Sequence, residues 1–143
     1  MNNEVKLFEI YEINDELKHV LFQKSNCDSR YAVPIFSSND EILFCEVISK
    51  SLAFFGSGTK QLPIFTSSRI TNLLIDMNTI YKISKTDFDQ YFKNVNHEIL
   101  RDKISEINEL EILDTFVQCV NENLMNTRLI TINSTFRKNI DSK

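Results

Sequence analysis

The sequence predicts an α+β fold: a small, mostly antiparallel sheet with helices packed on one face and a long amphipathic helix toward the C-terminus. Three observations predict it. The phrase Val33-Pro34-Ile35-Phe36-Ser37-Ser38 returns as Leu62-Pro63-Ile64-Phe65-Thr66-Ser67, and these copies hold both prolines of the 143-residue chain. Each copy puts a proline inside a β-branched and aromatic run and stops at hydroxyl residues suited to turns or caps, so each reads as a strand end. Short β-prone runs separated by turn residues account for residues 30–65. From about His97 to Met125 there is no Gly or Pro, and Leu100, Ile104, Ile107, Leu110, Leu113, Val117, Val120 and Leu124 recur at steps of three and four, the spacing of a helix face. Residues 1–136 read as a single domain and 137–143 as a basic tail.

In chain order, residues 4–13 fit neither a strand nor a helix period. From Asn14 the pattern becomes helical, with Leu17, Val20 and Leu21 on one face, Asn14 as cap and Asp15 and Glu16 in the first turn, where the helix dipole favours acids. Residues 30–36 and 41–48 form a hairpin around Ser37-Ser38-Asn39-Asp40. Pro34 has no N–H to donate, so its strand is expected at an edge or with that position turned from the ladder. Residues 51–55 and 61–65 form a second pair around Gly56-Ser57-Gly58-Thr59-Lys60. Thr66-Ser67-Ser68 then offers caps for a helix bearing Ile70, Leu73, Leu74 and Met77. A short strand at 79–83 follows, then a short helix introduced by Thr86 with Asp87 and Asp89 in its first turn and Phe88 and Phe92 four apart. Residues 97–125 are one long helix, or two with a break near Asn108, and 127–136 a final strand.

Composition is that of an ordinary globular chain, 42% apolar and 25% charged, and a domain of this size buries enough surface to fold without a staple. The longest apolar stretch, residues 42–58, is interrupted by Glu46 and Lys50 and is too short to span a bilayer, so no membrane span is expected. Met1-Asn2-Asn3-Glu4-Val5-Lys6 lacks the features of a secretory signal. Cys27, Cys45 and Cys119 are odd in number and widely spaced, which favours reduced thiols and a cytoplasmic location over a disulfide framework.

The arrangement Val-Pro strand, hairpin, Leu62-Pro63-Ile64-Phe65-Thr66-Ser67, helix, short strand and aromatic helix resembles, over residues 14–95, the N-terminal domain of the SseB-like (enhanced serine sensitivity) family. The resemblance implies a fold and no chemistry, and the long acidic helix lies outside that pattern. Catalytic and cofactor motifs are not found either. Gly56-Ser57-Gly58-Thr59-Lys60 has the wrong order for a phosphate-binding loop and reads as a hairpin turn. His19 and His97 have no metal-ligand partner at the proper spacing within their elements, and Asp15 beside His19 is explained by a helical ion pair. Cys45 and Cys119 sit in apolar surroundings where free thiols are inert.

Charge is the feature that points to a partner. Residues 94–126 carry seven acids against two bases, Arg101 and Lys103. Glu98, Asp102, Glu106 and Glu109 step by four, four and three and would form one acidic stripe along the long helix, with Asp40 and Glu41 of the first hairpin turn as a second patch. An acidic face repels phosphate backbones and suits a basic protein, so direct nucleic-acid binding is not expected. In size, cytoplasmic character, acidic bias and lack of catalytic motifs the chain is similar to bacterial immunity proteins. These bind and block a cognate toxin, such as the nuclease domain of a contact-dependent growth inhibition system, without cofactor or metal. Two other readings are compatible with the sequence: a small hydrolase or ligand-binding enzyme with a site assembled from scattered residues, and a viral or phage inhibitor of a host protein.

Overall fold

A computed structural model describes residues 4–14, 31–49, 60–122 and 128–132. The elements are β1 (Tyr11–Ile13), β2 (Tyr31–Ser37), β3 (Glu41–Ser49), β4 (Gln61–Phe65), β5 (Ile70–Ser84), α1 (Lys85–Tyr91), β6 (Phe92–Asn94), α2 (Asn96–Ile99), α3 (Glu106–Asn121) and β7 (Arg128–Thr131). The helix expected from Asn14, with Asp15 and His19, lies outside the described residues. So do Cys27, the strand at 51–55, the glycines of the second turn and the tail 137–143.

Six strands run in the order β4-β5-β3-β2-β1-β6, every neighbouring pair antiparallel, and β7 lies parallel to β5 beside Thr79 to Lys82. The β2–β3 hairpin forms as expected, its turn closed by Ser38 N–H donating to the Glu41 carbonyl at 2.9 Å. β2 is interior, and Pro34 is accommodated because its carbonyl points away from β3 and accepts from Phe8 N–H at 2.9 Å, which turns its nitrogen to the same side. β4 is an edge strand, as its proline allows.

The helix expected after Phe65 is instead the first half of the 15-residue β5. The hydroxyl of Thr66 accepts from Ser68 N–H and Arg69 N–H at 3.3 and 3.2 Å, and Thr66 N–H donates to the Arg69 carbonyl at 2.9 Å. The oxygen expected to cap a helix therefore closes a hairpin, and β4 returns along β5 with Leu62 opposite Ile75 and Phe65 opposite Ile70. Leu73, Ile75 and Met77 alternate as well as they step helically, and the β-branched Ile70, Thr71, Ile75, Thr79, Ile80 and Ile83 settle the choice for strand.

Helices cover both faces of the sheet, which corrects the expectation of one covered face. In β3, Cys45 and Val47 enter one core with Val33, Ile35, Ile75 and Met77, closed over by Ile10, Leu100, Ile104 and Ile112 of α3. Ile42 and Phe44 enter the other with Ala32, Tyr81 and Ile83, closed over by Phe88 and Tyr91 of α1. The period of two thus feeds two cores rather than one core and a wet face. α1 is capped by Ser84, whose hydroxyl accepts from Asp87 N–H at 3.1 Å, rather than by Thr86.

The expected long helix is broken, at residues 100–105 and not near Asn108. α2 has a single turn, and the Asn96 carbonyl accepts from Leu100 N–H and Arg101 N–H at 2.8 and 3.2 Å. Arg101 takes a left-handed φ of 65°, the conformation that usually ends a helix on glycine. Leu100 and Ile104 dip into the core from this loop, and Ser105 restarts the helix by accepting from Asn108 N–H at 3.2 Å. Arg101→Gly is expected to raise the unfolding free energy by about 0.5–1 kcal/mol by removing the Cβ from that conformation; a urea unfolding midpoint above that of the parent is the check.

Candidate protein-binding surface

The hairpin turn between β4 and β5 fixes where α3 begins. Ile104 pairs with Thr66 as an isolated bridge, and Ser105 N–H donates to the Phe65 carbonyl at 3.0 Å. Ser67 Oγ donates to Asp102 Oδ2 at 3.1 Å, and Arg69 Nη2 donates to the Ile99 and Leu100 carbonyls, both at 3.2 Å. From that anchor α3 runs for 16 residues. Its sheet-facing line is Asn108, Ile112 and Cys119, all fully buried, with Phe116 packed beside them. Asn108 Oδ1 accepts from Phe65 N–H at 2.9 Å, and its Nδ2 donates to the Pro63 carbonyl at 3.0 Å. At the far end Lys60 Nζ reaches Glu122 Oε2 at 3.3 Å and the Cys119 sulfur at 3.4 Å.

The opposite side of α3 is apolar and faces solvent. Ile107 is 69% exposed, Leu110 65%, Val117 and Val120 51% each and Leu113 37%. Phe36 of β2, 47% exposed, stacks on Phe116 with ring centroids 6.1 Å apart and extends this apolar surface onto the sheet. Contiguous exposed apolar side chains of this kind mark interaction sites more often than scattered ones do.

The acids predicted from sequence are spread over three settings. Glu98 is exposed on α2, Asp102 lies in the loop, and Glu106 and Glu109 occupy the first turn of α3, so they do not form a stripe on one helix. Asp102 is committed to structure, its Oδ1 accepting from Lys103 N–H at 2.7 Å while its Oδ2 takes Ser67. Asp40 and Glu41 belong to the β2–β3 turn, beside the C-terminal end of the 15-residue β5, where Glu41 lies opposite Ser84. There the Asp40 carbonyl accepts from Lys85 N–H at 2.9 Å and Glu41 pairs with Lys82 at 3.6 Å. The second patch is therefore partly neutralised.

On α3 itself Glu106, Glu109, Glu111 and Asp114 meet no Lys or Arg anywhere in the helix. Spacing arguments passed over Glu111 and Asp114, though both were visible as acids in a helix without a base. Burial, then the neighbouring Glu106 carboxylate, lifts the Glu109 carboxyl above the usual glutamate range, and Lys103 offsets this only in part. A carboxyl with a folded pKa above its unfolded value favours the protonated state on folding. Its contribution to stability is therefore greatest below the unfolded pKa, about 4.3, and falls as pH rises through the folded one. Glu109→Gln is expected to remove that slope, so the stability of the parent relative to the variant falls from pH 4 to pH 7, about 4 to about 7 spanning the titration range of glutamate; urea titrations across that range measure it.

A cleft of about 980 Å³ lies between the N-terminal segment, β6 and the α2–α3 loop, with Lys6, Glu9, Lys93, His97 and the predicted Asp102 beside Phe88 and Phe92 in its lining. Asn96 builds its wall: Ile10 N–H donates to Asn96 Oδ1 at 3.0 Å and Asn96 Nδ2 donates to the Asp102 carbonyl at 3.1 Å. His97 shares this cleft with Glu9, Asp89 and Asp102, but Cys45 and Cys119 are buried in the core under α3 and contribute no thiol to it. Burial, followed by the charge of Asp76, pushes the Cys45 thiol well above its ordinary value, which makes it a poor nucleophile. Among the described residues no three His, Cys, Asp or Glu side chains gather as a metal site, and no helix is long and apolar enough to cross a membrane. No protein-family model, no curated protein and no solved structure matches the chain.

Proposed function

We propose that the protein is a non-enzymatic binding protein that neutralises a basic protein partner, as an immunity protein blocks the nuclease domain of a cognate bacterial toxin. The observation that carries this reading is the solvent side of α3, where exposed apolar side chains are set among acids with no base in the helix. Apolar contact supplies the affinity, and the net negative charge speeds capture of a basic surface and rejects acidic ones. A toxin that acts on RNA or DNA carries such a basic cleft. A viral or phage inhibitor of a host protein would use the same surface, and the origin of the partner separates the two.

The test is co-expression with the product of the adjacent open reading frame, with growth and complex formation measured for that product alone and with this protein. Relief of toxicity by a stable complex supports the reading; a harmless neighbour that does not bind counts against it. Within a complex, Glu98→Lys, Glu106→Lys and Glu111→Lys together are expected to slow association by about tenfold or more at low ionic strength, with the fold unchanged because all three are exposed. Equal association rates for parent and variant would remove the acids from recognition. Asp102 is left out of that set because its carboxylate holds the loop.

A further inference from the structure

The apolar residues on the solvent side of α3 have a register. Leu110, Leu113, Val117 and Val120 follow at steps of three, four and three, the a and d spacing of a heptad. Ordinary surface helices turn such a line toward their own core, but here the core is served by Asn108, Ile112 and Cys119 on the other side, and the a/d line is left in solvent. Each flank carries one acid and no base: Glu109 shares the g side with Phe116, and Asp114 shares the e side with Ile107 and Asn121. Phe36, stacked on Phe116, stands beside the line on the Glu109 side as an apolar wall.

We infer that α3 receives an amphipathic helix of the partner whose apolar edge is bordered by Lys or Arg, an inference that rests on the reading of the chain as a protein-binding protein. The 3-4-3 spacing matches the knobs-into-holes geometry of two helices crossing at a shallow angle, which a flat loop surface would not exploit. Charge selects the occupant. A parallel second copy of α3 would set Glu109 against Asp114, and an antiparallel copy would set each acid near its own kind, so self-association is repelled in both directions. A basic-flanked helix meets complementary charge on both sides of the seam.

The probes are two synthetic helical peptides of three heptads with Leu at every a and d, one with Lys and one with Glu at every e and g, titrated into the isotope-labelled full chain. The Lys peptide is expected to move the backbone amide signals of residues 107–120, and the Glu peptide to bind at least about tenfold more weakly. Leu113→Ser with Val117→Ser, at exposed positions, is expected to weaken the Lys peptide by at least about tenfold while leaving the amide spectrum of the rest of the fold in place. Equal binding of both peptides, signals that move away from α3, undiminished binding by the double variant, or a homodimer that the double variant dissolves would each overturn the inference. Neutralisation of a toxic neighbour by the double variant at full strength would overturn the seam and leave the neutralising function standing. Peptide docking on α3 with a harmless neighbour would do the reverse.

Discussion

Asn108→Ala is expected to lower the unfolding free energy by about 3 kcal/mol, far above the effect of an ordinary polar substitution on a helix. The side chain is fully buried and satisfies two backbone groups at once, the Phe65 N–H and the Pro63 carbonyl. The Pro63 carbonyl faces away from β5, and β4 ends the strand order among the described residues, so Asn108 is the partner both groups find there. Alanine would leave a buried donor and a buried acceptor without partners and open a small cavity between α3 and β4. Asn108→Asp is the sharper probe, because it preserves shape but replaces the donating amide with a carboxylate facing a carbonyl oxygen. It is expected to destabilise more than alanine at pH 7 and to recover on acidification, when the protonated acid can donate again. Denaturant titrations at two pH values decide this, and a change below about 1 kcal/mol for alanine would show that water replaces the amide at both groups.

The same residue explains why the orientation of α3 was not legible in the sequence. The steps of three and four through Ile107, Leu110, Leu113, Val117 and Val120 define a helix correctly, and the natural expectation is that this apolar line faces the sheet. It faces solvent because the edge of β4 offers backbone groups that an asparagine can satisfy, and once Asn108 is drawn inward, Ile112 and Cys119 follow at helical spacing. A hydrophobic pattern counts apolar residues and cannot weigh a polar side chain that two strand groups require. Ser105, which caps α3, was a signal for the break at residues 100–105, but Leu100 and Ile104 continue the helical spacing across it and so concealed it. The hairpin around Ser37 to Asp40 was legible because turn chemistry is local. The switch of residues 70–77 from helix to strand was not, because Thr66 caps a hairpin and a helix with the same oxygen and only the pairing of β4 decides between them.

Placement of the acids failed for a related reason. Spacing along one helix assumes that the helix exists, and the positive φ of Arg101 separates Glu98 and Asp102 from Glu106 and Glu109. Two of the acids that matter to the proposed surface, Glu111 and Asp114, gain their significance from what surrounds them, an exposed apolar seam and no base on α3, and not from their spacing.

Phe44→Ala, in the second core, is expected to be the most damaging single substitution, at about 4 kcal/mol. Phe44 is fully buried and its ring meets three others: Tyr81 stacked at 5.1 Å, Phe92 edge-on at 5.0 Å and Phe88 at 6.0 Å. Phe88 and Phe92 stack in turn at 4.2 Å, so removal of the central ring exposes a cavity in a cluster that joins α1, β3, β5 and β6. Against a total stability of about 5–15 kcal/mol for a domain of this kind, the variant would sit near the limit of folding at physiological temperature. Leu110→Ala, although it removes a large apolar side chain, is expected to change stability by no more than about 0.5 kcal/mol, because that side chain is already in water. The pair therefore separates two uses of apolar residues in this chain. If Phe44→Ala unfolds the protein while Leu110→Ala leaves it folded, Leu110 is surplus to the fold, as the proposed contact surface requires. A large loss from Leu110→Ala would place the seam inside the folding core and remove the basis for the proposed surface.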